Sequence, residues 1–168
     1  MKYAASFVGW SNTGKTTLME SLIRALKDRG YTVAALKQSH VPPGFDSRGK
    51  DSDRFFHSGA YKVAYLSPEE GFLRFRRRTA HEDITRYFHD CDILICEGYR
   101  IPGFPCFEVI GAGSFRGGLK CEPEDVAAYI LSGQGDEEFT PYTDTVPAFS
   151  AQDPDKIICF MEEIWKKK

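Results

Sequence analysis

An α/β fold, with a mostly parallel central sheet flanked by helices, is what this sequence predicts, on three observations. Short apolar runs alternate with amphipathic segments of helical period along most of the chain. Residues Gly9 to Thr16 read Gly-Trp-Ser-Asn-Thr-Gly-Lys-Thr. They fill every position of the Walker A pattern G-x-x-x-x-G-K-[ST], between one such run and one such helix. The run Asp92-Ile-Leu-Ile-Cys-Glu97 is the most apolar short stretch and ends in an acid, as a buried strand does when it presents a carboxylate towards Mg²⁺. Together these predict the P-loop NTPase fold, organised as a single domain over residues 1–168.

Each element follows in turn. Tyr3 to Val8 reads as a short buried strand leading into the loop. Thr17 to Arg29 carries Leu18, Leu22, Ile23 and Leu26 at the spacing of a helix with one buried face, and Gly30 stops it. Thr32 to Leu36 is a second strand. A polar loop with Pro42, Pro43, Gly44 and Gly49 leads to a short helix capped by Asp51 or Ser52 and closed by Gly59. Lys62 to Ser67 is a third strand. Arginine and apolar residues alternate in part over 71–78, the pattern of a β-hairpin insertion, and Thr79 to His89 looks helical. Beyond Ile93 to Cys96, strands are expected at Cys106 to Ile110, Val126 to Leu131 and Val146 to Ser150. Gly111 to Gly118 and Ser132 to Asp144 read as loops. An amphipathic helix from Asp155 closes the chain, burying Ile157, Ile158, Met161, Ile164 and Trp165.

Composition narrows the function classes. A length of 168 residues, with 42% hydrophobic and 27% charged, describes an ordinary globular chain long enough to bury a core without staples. A formal net charge of −2 argues against a general binder of nucleic acid or of membrane surfaces. No apolar run approaches the roughly 20 residues that span a bilayer. The first strand leaves no room for a signal peptide, so a cytoplasmic location is expected. The five cysteines include no C-x-x-C pair, so reduced thiols are the default, with Cys96 and Cys159 expected to be buried.

The loop residues specify the chemistry. Gly9 and Gly14 let the backbone curl close to phosphates, so that successive N–H groups face the anion. The helix beginning near Lys15 adds the positive end of its dipole. Lys15 supplies a mobile cation for the β/γ-phosphates, and Thr16 is placed to ligate Mg²⁺. Trp10, Ser11, Asn12, Thr13 and Thr17 complete the nucleotide-contacting stretch. Glu97 is the expected second magnesium partner and organiser of water, which makes Lys15 and Glu97 the catalytic candidates. Asp92, at the other end of its strand, reads as a cap or surface residue.

Four blocks now agree in order and spacing: Gly9 to Leu18, Leu36-Lys-Gln-Ser-His40, Gly49-Lys-Asp-Ser52 and Ile93-Leu-Ile-Cys-Glu-Gly-Tyr-Arg100. In this combination the chain resembles the MobB family, the GTP-binding adaptor proteins of molybdopterin-guanine dinucleotide biosynthesis. The similarity runs from Lys2 to about Arg100 and is weaker beyond Ile101. It implies GTP and Mg²⁺ as ligands, weak GTPase activity and a homodimer. The implied partner is a MobA-type molybdopterin guanylyltransferase, which this protein assists without being the transferase.

The resemblance also brings in Lys37 and His40 as charge near the γ-phosphate or the partner's substrate. Gln38 stands where the family often has a second histidine. Asp51 either reaches the magnesium shell or caps the next helix. The Asn-Lys-x-Asp element that grips guanine in many GTPases is missing. The loop Ser150-Ala-Gln-Asp153 either offers an N–H to guanine O6 or caps the last helix through Asp153. Arg74, Arg76, Arg77 and Arg78 either meet a phosphorylated pterin, an acidic partner or the other subunit, or protect a solvated edge strand. Two readings compete with the adaptor: a P-loop small-molecule kinase using ATP, and a metal-delivery GTPase, for which the sequence lacks a dense Cys/His cluster.

Overall fold

The structure is a computed structural model and describes residues 1–39, 49–76, 81–111, 118–133 and 146–167, with the backbone alone at 81–83. The chain divides into two compact units, one of residues 1–38 and 85–168 and the other of residues 39–84.

The first unit is built on a six-stranded sheet. Its strands are β1 (Tyr3–Val8), β2 (Val33–Lys37), β5 (Ile93–Glu97), β6 (Cys106–Ile110), β7 (Ala128–Leu131) and β8 (Ala148–Ser150), in the order β2-β5-β1-β6-β7-β8. Every pairing is parallel, so all carboxyl ends point the same way. Register puts Glu97 opposite both Phe7 and Lys37. From β1 the chain crosses towards β2, whereas from β5 it passes over β1 to β6. The carboxyl end of β1 is therefore the topological switch point, where open α/β sheets bind ligands.

Alternation along the strands sorts the core into two faces. Phe7, Ile93, Ile95, Phe107, Val109 and Ile130 pack against α1 (Lys15–Asp28) and α3 (Pro154–Lys166) through Leu18, Leu22, Leu26, Ile157, Ile158 and Met161. Burying each such large side chain contributes about 1.5–3 kcal/mol relative to leaving it in water. The Trp165 indole N–H donates to the Ala4 carbonyl at 3.1 Å, and its ring stacks on Tyr3 at 4.9 Å. Ile110, Val126 and Tyr129 form a smaller cluster with Leu119 and Cys121. The buried Ser6 hydroxyl accepts the Ile101 N–H at 3.1 Å.

Of the two roles left open for the Ser150–Asp153 loop, the cap is present: Asp153 accepts the Lys156 N–H at 3.2 Å, ahead of Pro154. Asp92 ties β5 to the segment before β2 by accepting the backbone and hydroxyl hydrogens of Thr32, at 2.8 and 2.6 Å. Those bonds hold its carboxyl below the usual range. Cys159 corrects the expectation of burial, because it is exposed beside the Arg29 guanidinium. It falls on the face of α3 turned from Ile158 and Met161. Cys96 is buried as expected, and so is Cys106; burial pushes each thiol up to about 12. Among the described residues no helix is long and apolar enough to cross a membrane.

The second unit holds α2 (Asp51–His57) and an antiparallel hairpin, β3 (Lys62–Leu66) with β4 (Gly71–Phe75), so the stretch expected to hold a hairpin from residue 71 supplies only its second strand. The cap of α2 differs from expectation. Lys50 holds the N-cap position and no side chain caps it, while Asp51 is the first helical residue. A 3₁₀ helix spans His81–Phe88.

Candidate functional site

Four strand ends deliver the candidate site. β1 runs straight into the loop, whose backbone takes conformations that few side chains permit. Gly9 has φ +145°, and a Cβ there would lie 2.3 Å from the Val109 carbonyl oxygen on β6. Asn12 and Gly14 are both left-handed, at φ 63° and 78°. Left-handed residues in such a turn are how a backbone gathers N–H groups into an anion nest. Gly14 then occupies the N-cap of α1 with no side-chain cap. The first helical bond runs from the Leu18 N–H to the Gly14 carbonyl at 3.0 Å. The amides of the first turn, Lys15 to Thr17, therefore meet no acceptor among the described residues, which suits an anion.

Side chains brace this turn. The Thr13 hydroxyl, buried, donates to the Trp10 carbonyl at 3.0 Å. The Ser132 hydroxyl, just past β7, donates to the Thr13 carbonyl at 2.5 Å. The Lys15 ammonium bonds to the Trp10 carbonyl and lies 3.2 Å from Thr13 Oγ1. Burial lowers the Lys15 pKa, with Lys120 and Lys37 adding to the effect and Glu97 opposing it. Trp10, Ser11, Asn12, Thr16 and Thr17 are exposed at the loop surface.

Glu97 ends β5 beside this loop. Its Oε2 accepts the Thr16 hydroxyl at 3.1 Å, and its Oε1 lies 3.2 Å from Lys37 Nζ. One carboxylate thus joins the last Walker A residue to the end of β2. A phosphate-bound Mg²⁺ needs only one or two protein oxygens, with phosphates and water completing its shell. Thr16 and Glu97 fit that requirement, although the described residues contain no group of three or more ligating side chains.

Asp51 belongs to the second unit, where it is exposed and lies 3.6 Å from Arg54. His40, Arg77 and Arg78 lie outside the described residues. Arg74 pairs with the buried Asp53 at 3.0 Å and stacks over Phe56, and Arg76 donates to the Phe56 carbonyl at 2.6 Å. Arg100 bonds to Asp125 at 3.2 Å.

Sequence reasoning missed three contributors, Ser132, Glu108 and Gly118. Ser132 lay in a stretch read as solvated loop. Glu108, only 1% exposed on β6, accepts the N–H groups of Lys120 and Cys121 at 2.5 and 3.2 Å. The Trp10 indole N–H reaches the Gly118 carbonyl at 2.9 Å. An acid inside an otherwise apolar strand, Cys106-Phe-Glu-Val-Ile110, was the one local signal available.

Comparison with known proteins decides the family. The model of MobB, molybdopterin guanine dinucleotide synthesis protein B, matches residues 4–131. The chain belongs to the MobB family. It is 29% identical over 131 residues to the molybdopterin-guanine dinucleotide biosynthesis adapter protein of Escherichia coli K12, covering 72% of this chain and 70% of that one. The Haemophilus influenzae protein of the same name is 41% identical over 61 residues, which is 36% of this chain and 34% of that protein. The crystal structure of Bacillus subtilis MobB superposes with a TM-score of 0.73 at 22% identity, covering 95% of this chain and 98% of that chain. A further structure, of molybdopterin-guanine biosynthesis protein B, gives 0.63 at 26% identity, covering 96% and 99%. The fold is therefore that of MobB, α/β with a mostly parallel sheet, as expected.

Proposed function

We propose that this MobB-family protein is a GTP-binding adaptor that assists a MobA-type guanylyltransferase in converting molybdopterin to molybdopterin guanine dinucleotide. The single observation that carries the reading is the Thr16–Glu97 bond of 3.1 Å at the mouth of an uncapped phosphate loop. In this account the amides from Gly14 to Thr17 receive phosphate oxygens, and Lys15 leaves the Trp10 carbonyl to neutralise the β/γ-phosphates. Thr16 and Glu97 hold Mg²⁺, which when bound offsets the charge developing on the phosphates. Lys37 balances Glu97 on its other oxygen.

The reading includes GTPase activity, but slow. Among the described residues the Glu97 carboxylate is committed to Thr16 and Lys37, and the Arg100 guanidinium to Asp125. Neither a ready base nor an arginine finger then stands among the described residues, and lacking such a finger costs about 10³–10⁵ in rate. A homodimer and a cytoplasmic location complete the proposal; all five cysteines are free thiols, as a reducing compartment keeps them.

The test is calorimetric titration with GTP and with ATP, each with and without Mg²⁺. GTP should bind more tightly, with Mg²⁺ strengthening it. A tenfold preference for ATP, about 1.4 kcal/mol, would transfer the site to the kinase reading.

A further inference from the structure

The buried acid on β6 leads beyond the Walker A residues. A carboxylate taken out of water is costly unless its lone pairs are met. Glu108 meets this requirement, among the described residues, with two consecutive backbone amides and not with a cation. It therefore fixes the backbone at Lys120 and Cys121 while leaving the Lys120 side chain uncommitted to it. The start of the same segment is tied to the phosphate loop, because Gly118 accepts the Trp10 indole hydrogen at 2.9 Å. Lys120 Nζ stands 5.8 Å from the centre of the Trp10 ring, within cation–π range. No carboxylate pairs with it among the described residues.

We propose that Lys120 is an additional phosphate-contacting cation of this site, and that Glu108 and Trp10 are the residues that position it. The proposal rests on the nucleotide-binding reading above and adds a residue to it. Charge balance supports it. Lys37 and Lys120 both act on Lys15 at the loop, and Glu97 is the acid that opposes them there among the described residues. Glu97 is shared with Lys37 and Glu108 is met by two backbone amides, so the three ammonium groups still repel one another unless a polyanion joins them. A triphosphate supplies that charge, drawing Lys120 from the aromatic face of Trp10 onto phosphate oxygen.

The experiment uses the full chain and three probes: GTP, inorganic tripolyphosphate and guanosine, each with Mg²⁺. Calorimetry gives affinity, and emission of a Trp165→Phe variant reports Trp10 alone. Lys120→Gln should weaken GTP and tripolyphosphate about tenfold, leave guanosine unchanged and abolish the Trp10 emission change. Lys120→Arg should stay within about threefold of the parent. Glu108→Gln should weaken the same two ligands, and adding it to Lys120→Gln should cost little more, because coupled residues are not additive. A purely structural Glu108 would lower stability and give additive losses, which would overturn its positioning role. Equal binding by the parent and Lys120→Gln would overturn the proposal and leave the nucleotide reading standing. A parent protein that binds neither GTP nor tripolyphosphate would overturn both.

Discussion

Replacing Gly9 by alanine tests whether the loop depends on backbone contact between β1 and β6. The new Cβ would sit 2.3 Å from the Val109 carbonyl oxygen, where ordinary contact begins at 3.4 Å, and φ is +145°. Holding a side chain in that conformation costs about 1–3 kcal/mol. Forcing neighbouring backbone aside in a packed region costs about 1–3 kcal/mol more. The sum centres near 4 kcal/mol, which for a chain of this size lowers Tm by about 8–16 °C. Gly30→Ala is the control, since its φ is also positive, at +88°, but nothing lies within 4 Å. Its expected cost is about 1–2 kcal/mol. Urea unfolding followed by tryptophan emission reports the first unit, because Trp10 and Trp165, the two tryptophans, both lie in it. If Gly9→Ala were no less stable than Gly30→Ala, the claim that β6 dictates the loop's path would be wrong.

Three further outcomes follow from the same geometry. Ser132→Ala removes the hydroxyl that braces the Thr13 carbonyl, so stability should fall by about 1 kcal/mol; an unchanged urea midpoint would contradict the bracing role. Glu97→Gln keeps the shape but loses the charge shared with Thr16 and Lys37. The strengthening of GTP binding by Mg²⁺ should then largely disappear, and a Mg²⁺ effect equal to the parent's would remove Glu97 from the metal shell. Lys15 has its pKa lowered below the ordinary 10.5, burial first among the causes. The unfolded chain therefore holds this proton to higher pH than the folded one, and stability gains as pH rises between the lowered value and 10.5. Relative to Lys15→Met, the parent should become more stable across that alkaline window; a constant difference would show that the buried charge carries no cost.

What the sequence revealed was what local pattern can encode. β1 and β6 match their expected ranges, Tyr3–Val8 and Cys106–Ile110, because each is an apolar run bounded by glycine or proline. The turn after β1 was legible as a backbone feature, since the glycines it relies on, Gly9 and Gly14, stand where φ is positive. The place of Glu97 at the end of β5 was legible because an acid ended an apolar run. Its pairing with Lys37 follows from parallel register between strands far apart in sequence, which no local window contains. The same limit hid Ser132, 119 residues from the Thr13 it braces, and Gly118, 108 residues from Trp10. Capping was readable where a carboxylate precedes proline, as at Asp153. It was misread at Asp51, where Lys50 in an extended conformation takes the cap position. Cys159 was misplaced because apolar neighbours suggested burial, whereas helical phase turns it outward.

The proposed function requires that the backbone amides from Gly14 to Thr17 receive the phosphates of GTP. A ¹H–¹⁵N correlation titration of the labelled full chain with Mg²⁺ and GTP tests it most directly. The amides of Gly14, Lys15 and Thr16 should show the largest saturable shifts, and guanosine should leave them unmoved. Saturable binding of GTP with those amides unshifted, or equal shifts with guanosine, would contradict the account.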